Sequence, residues 1–124
     1  MSFYAAYDDT YVHPVPEGHR FPMEKYQLLY EQLLLEGIIS PETVLSTTSI
    51  SPELVTRVHT EEYLRKLIHL KCSPREQRVS GFEHTPGLID RELLIMDGTR
   101  KCAEIAVKAG GIAFNLAGGT HHAL

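Results

Sequence analysis

The stretch that decides the fold is residues 112–122, IAFNLAGGTHH, in which a nearly continuous apolar run leads into two glycines and two histidines. Residues 90–111, which precede this run, have apolar residues at helix-compatible positions and end on a glycine pair. A short apolar run that follows a helix is typical of a strand buried on both faces in a parallel sheet. The sequence therefore predicts an α/β fold with a mainly parallel sheet.

The residues that follow this predicted strand form a candidate site. Ligands of open α/β sheets bind beyond the carboxyl ends of the strands, where Gly118, Gly119, His121 and His122 fall. Adjacent histidines on a regular strand point to opposite faces, but the glycines permit a turn that directs both rings into one pocket. The alternative is a pair of loop histidines exposed to water. The remaining histidines are dispersed and are interpreted singly as structural or surface residues: His13, His19, His59, His69 and His84.

Spacing alone gives little support for a metal site. The chain lacks the HExxH, paired CxxC and Asp-x-His patterns that bring zinc ligands together. Cys72 and Cys102 are far apart in sequence, so each is expected to be a small buried apolar residue.

Strands and helices alternate in the upstream pattern. Residues 3–7 (FYAAY) predict a first strand, and residues 41–49 predict a brief second one. A helix is predicted over residues 22–36, and Ser51 and Thr60 have the positions of successive N-caps before a further helix.

The second half of the chain predicts a loop and then a long helix. Residues 73–87 are polar and rich in turn formers, so we expect a surface loop there. The helix over residues 90–111 contains Gly98, which is expected to bend it or to admit another backbone closely.

Composition and charge narrow the class of protein. The 124 residues suit one domain, and 43% hydrophobic with 23% charged residues is ordinary for a globular chain. The net charge is −4 and the cations lie among acids, so no nucleic-acid partner is expected. No apolar run reaches the roughly 20 residues that span a bilayer, and the start MSFYAAYDD has no leader-like pattern. We expect a cytoplasmic protein without membrane insertion.

Several segments together resemble the histone deacetylase superfamily. GGTHHA is similar to its tandem-histidine motif, and HPVPEGHRFPMEKYQLL, RVHTEEYLRKL and GTRKCAEIAVKAGGIAFNLAGGTHHA occur in the family's order, closest to the class IV branch and its bacterial relatives. The resemblance implies a three-layer α/β/α arginase/deacetylase-like fold, truncated here. Residues 1–124 would be the N-terminal part of a single catalytic domain.

The resemblance also implies an activity, a cofactor and roles for particular residues. The whole protein would use zinc to hydrolyse acyl groups from lysine side chains, with zinc ligands beyond Leu124. His122 would be the general base and acid, His121 its partner, and Gly118 and Gly119 would give the acyl tunnel its close backbone approach.

Two further residues are implied to contact substrate or product. Arg20 falls where related enzymes keep an arginine near a channel for the released acid, and a surface salt bridge is the alternative. His84 or Glu83 falls where other classes carry a rim aspartate.

The partner is therefore expected to be an acyl-lysine peptide or protein, or a small N-acyl amine. Two other functions stay open: an acetylpolyamine-type small-molecule amidohydrolase, and a non-catalytic binding or assembly module. The 124-residue chain alone is expected to be inactive and to self-associate, because its last strand would lack the strands that cover its edge.

Overall fold

The computed structural model describes residues 2–119, which are built on a small parallel sheet. Strand β1, Phe3–Ala6, lies in the middle, with β2, Val44–Leu45, on one side and β3, Ile112–Asn115, on the other. Both neighbours run parallel to β1, and Asn115 pairs with Ala6. The predicted α/β fold with a parallel sheet is confirmed.

Two of the helices begin at threonine caps. Thr60 accepts a hydrogen bond from the backbone N–H of Tyr63 at 3.1 Å, and Thr85 accepts one from Leu88 at 3.1 Å. The helices are α1, Lys25–Leu35; α2, Pro52–Val55; α3, Glu61–Ile68; α4, Pro74–Ser80; and α5, Pro86–Ala109. Among residues 2–119, no helix combines the length and the hydrophobicity needed to cross a membrane.

The helix predicted over residues 22–36 is confirmed, but it begins later than expected. Pro22 to Glu24 form a turn, in which the N–H of Lys25 donates to the carbonyl of Pro22 at 3.1 Å. Such bonds across three residues tighten the chain before a regular helix starts. The lysine is therefore the first residue of α1.

Residues 73–87, predicted as a surface loop, contain α4 and the start of α5. Ser73 Oγ accepts from the N–H of Glu76 at 3.1 Å, and the Glu76 carboxylate accepts from the N–H of Ser73 at 2.7 Å. This capping box starts α4, and Gly81 ends it in the left-handed conformation, with φ 81°. α5 then begins at Pro86 instead of residue 90. The loop prediction is wrong because polar composition reports exposure, whereas the caps decide the backbone conformation.

The prediction that the last strand is buried on both faces is also wrong for the described residues. Ile112 of β3 is 46% exposed, whereas Ala5 and Ala6 of β1 have no exposed surface. β1 has a strand on each side, but β3 has one only on the β1 side among residues 2–119. Phe3 of β1, which pairs with Ile112, is 40% exposed as well, so the exposure belongs to the amino end of both strands. An apolar run does not reveal what covers each end of a strand. The expected self-association stays a prediction.

The core lies where β1 and the end of β3 meet α1 and α5. Tyr7 stacks on Tyr30 of α1 with 4.1 Å between ring centroids, and Tyr11 meets Tyr7 edge-on at 5.8 Å. Cys72 and Cys102 are buried, as predicted, and burial raises the pKa of both thiols. Both cysteines therefore pack as small apolar residues.

Candidate functional site

The carboxyl end of β3 leads directly into the predicted site. Leu116 and Ala117 are buried, and Gly118 and Gly119 are exposed beyond them. His121 and His122 lie outside the described residues, so their roles stay predictions. The structure shows how the strand that leads to them is held.

Asn115 fastens this strand end to α5. Its Nδ2 donates to the carbonyl of Ile95 at 2.8 Å and to Thr99 Oγ1 at 3.1 Å, and its Oδ1 accepts from the Tyr11 hydroxyl at 2.9 Å. The Ile95 carbonyl decides which way the amide points, because an oxygen in place of Nδ2 would face another acceptor. Three segments therefore meet at one side chain.

Gly98 makes room for this contact. A Cβ built on Gly98 would lie 2.8 Å from Asn115 Nδ2 and would also overlap the Tyr11 hydroxyl. The predicted close approach at this glycine is present, but two side chains make it and not a backbone. Tyr11 is fully buried, and burial raises the pKa of its hydroxyl, which therefore stays a neutral donor.

A cavity of about 250 Å³ lies between α3, α4 and α5, next to the strand end. His84 and Gly119, both predicted to contact substrate, line this cavity. Gly118 and Gly119 also line a shallower groove beside Lys25 and Tyr26. The apolar part of the cavity wall consists of Val55, Leu64, Leu67, Phe82, Leu88, Ile89, Leu93 and Met96.

Helix α4, which the sequence analysis missed, positions His84. The backbone N–H of His84 donates to Gln77 Oε1 at 2.9 Å. The Ser80 hydroxyl donates its hydrogen to the Gln77 carbonyl at 2.7 Å. His84 Nε2 lies 3.2 Å from the same hydroxyl oxygen, so Nε2 is the donor in that contact. This tautomer of His84 is assigned from the hydrogen-bond network. Glu83, the alternative at this position, is exposed and does not line the cavity. Of the two residues, His84 lines the cavity, and the role at a substrate rim stays a prediction.

A cluster of rings ties the N-terminal loop to the same rim. His19 stacks on Phe82 with 5.4 Å between centroids, and Phe21 meets Phe82 edge-on at 5.6 Å. His19 Nδ1 accepts from the N–H of Phe21 at 3.1 Å, which leaves Nε2 to donate to the Gly81 carbonyl at 3.3 Å. No sequence pattern signals this role, because Gly81 and Phe82 lie more than 60 residues from His19 in the chain.

The comparisons with known proteins agree with this geometry. The profile of the Histone deacetylase domain matches residues 19–124. The chain belongs to the histone deacetylase family. An uncharacterized protein of Picosynechococcus sp. (strain ATCC 27264 / PCC 7002 / PR-6) is 38% identical over 123 residues, which are 99% of this chain and 41% of that protein. The chain thus spans about two fifths of the length of the curated relative it matches.

The family match includes Arg20, but the described structure does not bring this residue to the cavity. Arg20 is exposed, does not line the cavity, and forms no ion pair with another residue in the range 2–119. Neither its implied role at an acid channel nor the alternative surface salt bridge is tested by this geometry. Both interpretations of Arg20 stay predictions.

Arg91 is a buried arginine that the sequence analysis missed. Only 1% of its side-chain surface is exposed. Nε donates to the Tyr11 carbonyl at 2.7 Å, and Nη1 donates to Glu92 Oε1 at 2.7 Å. The guanidinium carbon lies 5.3 Å from the centroid of the Tyr26 ring. Burial, and then the positive charge of Arg91, lower the pKa of His13.

Asp97 is a second buried charge on α5. It accepts from the N–H of Thr48 at 2.9 Å, from Arg100 Nη2 at 2.9 Å and from Lys101 Nζ at 3.2 Å. Burial alone raises the pKa of this carboxyl, but the bonds from Thr48, Arg100 and Lys101 outweigh it and lower the pKa. Asp97 therefore stays ionised and joins the segment after β2 to the helix.

The donor set of the described residues does not fit the zinc that is usual in this family. A catalytic zinc takes three protein ligands, and residues 2–119 contain no group of three or more histidine, cysteine, aspartate or glutamate side chains placed to hold a metal. Residues 2–119 alone therefore do not supply the ligands of such a zinc.

Proposed function

We propose that the whole protein hydrolyses N-acyl groups, acetyl groups among them, from lysine side chains or related amines. The observation that carries the proposal is the family match over residues 19–124, which includes the GGTHH segment that follows β3 in the sequence. The carboxyl end of this strand borders the cavity lined by His84 and Gly119. Such an edge is where ligands of α/β sheets bind.

In this proposal, the chain's own residues carry protons and shape the acyl site. His122 takes a proton from the attacking water and returns it to the departing amine, which is general base and then general acid catalysis. His121 is its partner and steadies the charge of the transition state. Gly118 and Gly119 have no side chains, so the acyl group can approach the backbone closely.

Zinc is the proposed cofactor, held by ligands outside residues 2–119. When bound, such an ion would polarise the acyl carbonyl. We also place the protein in the cytoplasm, a reducing compartment that suits two buried free thiols, Cys72 and Cys102.

The favoured substrate is an acyl-lysine peptide. The largely apolar cavity beside Gly119 suits an aliphatic chain, and His84 supplies a polar group at its rim. An acetylated polyamine also offers an aliphatic chain, so it is the second candidate. The two are distinguished by comparing kcat/KM for an acetyl-lysine peptide and for an acetylpolyamine.

The test is His122→Ala in the complete protein. Loss of a positioned acid and base typically costs about 10²- to 10⁴-fold in turnover. Zinc content, measured by elemental analysis, should stay unchanged because the proposal gives His122 no role as a ligand. His69→Ala, at the exposed end of α3, is the matched control and should retain activity.

Two results would contradict the proposal. Undiminished turnover in the His122→Ala protein would remove the histidine from its proposed role. No turnover of either substrate by the zinc-loaded wild-type protein would instead favour a binding or assembly module.

A further inference from the structure

We propose that Asn115 is a positioning residue for the reaction proposed above. The side chain of Asn115 contacts Tyr11 and the Ile95 carbonyl and fits into the notch at Gly98, and we call this set of contacts the Asn115 junction. The junction fixes the carboxyl end of β3 against α5. The junction thereby sets where Gly118, Gly119 and the following histidines meet the substrate. This inference rests on the proposed function, which assigns those residues to the site.

The junction lies where main-chain pairing of the strand stops. Asn115 is the last residue of β3 paired with β1, and the N–H of Leu116 donates to the Ala6 carbonyl at 3.1 Å. Within residues 2–119, no later backbone group of this strand bonds to the sheet. Among the described residues, Asn115 is therefore the last one before Gly118 that is anchored through its side chain, and Leu116 is the last one anchored through its main chain.

The bonds of the junction fix direction as well as distance. Both hydrogens of the Asn115 amide are used, one on the Ile95 carbonyl and one on Thr99 Oγ1, and its oxygen accepts from Tyr11. An apolar side chain of similar size would fill the same space, but it would leave the buried Tyr11 hydroxyl without its acceptor. An amide at this position holds the strand end in one orientation relative to α5.

Gly98 completes the junction at a cost to its own helix. Glycine inside a helix is less favourable than alanine. A Cβ at this position would lie 2.8 Å from Asn115 Nδ2 and 3.0 Å from its Oδ1, so alanine would displace the amide. The absence of a side chain is therefore what admits the anchor.

The first test measures turnover of an acetyl-lysine peptide by the complete protein. A displacement of about 1 Å can cost about 10²-fold in rate, so Asn115→Ala and Tyr11→Phe should lower kcat by about 10- to 100-fold with KM within about twofold. The double variant should be no slower than the slower single variant, because both changes release the same strand end.

Two glycine-to-alanine substitutions in α5 provide a matched pair of variants for the same assay. Gly98→Ala should lower kcat like the other junction variants. Gly87→Ala should not, because the nearest neighbour of its added Cβ is Thr85 Oγ1 at 3.9 Å. A rise in KM at constant kcat in the junction variants, or equal activity of the two alanine variants, would overturn the proposal.

The second test is amide hydrogen exchange, which needs no activity. In Tyr11→Phe and Asn115→Ala, the amides of residues 116–119 should exchange faster while those of β1 keep their rates. Unchanged exchange at residues 116–119 overturns the positioning role. If the wild-type protein turns over no acyl substrate, the proposed function fails, and exchange alone then decides whether Asn115 anchors the strand end. If Asn115→Ala does not fold, Tyr11→Phe supplies both measurements.

Discussion

Arg91 and Asp97 are both buried on α5, but their charges are compensated differently. Asp97 accepts hydrogen bonds from Thr48, Arg100 and Lys101, which come from two segments of the chain. Arg91 donates to the Tyr11 carbonyl and to Glu92, while its Nη2 is buried and finds no partner among residues 2–119.

The two sets of partners imply different roles for the two buried charges. A buried charge contributes to stability only where its partners replace the lost water. The partners of Asp97 do so, and they connect α5 to the segment after β2. Arg91 has fewer partners, and much of its contact is packing against the Tyr26 ring. Removing the charge should therefore cost more at position 97 than at position 91.

The largest expected effect is that of Asp97→Ala. Removing one partner of a buried ion pair costs about 3–5 kcal/mol, and we expect about 3 kcal/mol here because Arg100 and Lys101 are partly exposed. Urea denaturation of the complete protein measures this loss. Asp90→Ala removes an exposed acid from the same helix and should change the free energy of unfolding by less than about 0.5 kcal/mol. Equal losses in the two variants would contradict the role of Asp97.

A smaller effect is expected for Arg91→Met. Methionine keeps an unbranched side chain against Tyr26 and loses the bond to the Tyr11 carbonyl, so we expect a loss of about 1–2 kcal/mol in the same denaturation experiment. Arg75→Met, on the exposed side of α4, is the control for removing a surface arginine. The comparison fails if Arg91→Met costs as much as Asp97→Ala.

The smallest effect concerns pH. Burial and the charge of Arg91 lower the pKa of His13 below its unfolded value, so in the intervening window the unfolded chain binds more protons than the folded one. The free energy of unfolding should therefore fall as pH drops from about 6.5 through the folded pKa. His13→Gln should remove this part of the slope, and Arg91→Met should reduce it without abolishing it, because burial is the larger cause. An unchanged slope in His13→Gln, measured by urea denaturation across this range, would refute the assignment.

Fold elements with local signals could be predicted from the sequence. The Thr60 cap and the run at residues 3–7 predict a helix and a strand that the structure contains. The Ser73 and Glu76 pair carried an equally local signal for α4, which polar composition obscured. The exposure of Ile112 had no local signal, because it depends on what packs against the amino end of the sheet, where its partner Phe3 is also exposed.

Likewise, some residues of the candidate site could be predicted from the sequence and others could not. The glycines and histidines after β3 stand out in the sequence, and the family match includes them. Asn115 does not stand out, because its partner Tyr11 is distant in the chain and its fit requires the notch at Gly98. Arg91 likewise depends on a carbonyl 80 residues away. Such contacts follow from the packed structure and not from any short pattern.

The sheet order has a consequence for how the protein is made on the ribosome. β1 is synthesised first and occupies the middle of the described sheet, but Tyr11 and Asn115, which join its surroundings to β3, are 104 residues apart. At roughly 5–20 residues per second, β1 waits on the order of 5–20 s before β3 is made. During that interval the apolar Ala5 and Ala6 have an open edge, so the nascent chain carries an unpaired strand edge that favours aggregation until the residues of β3 emerge.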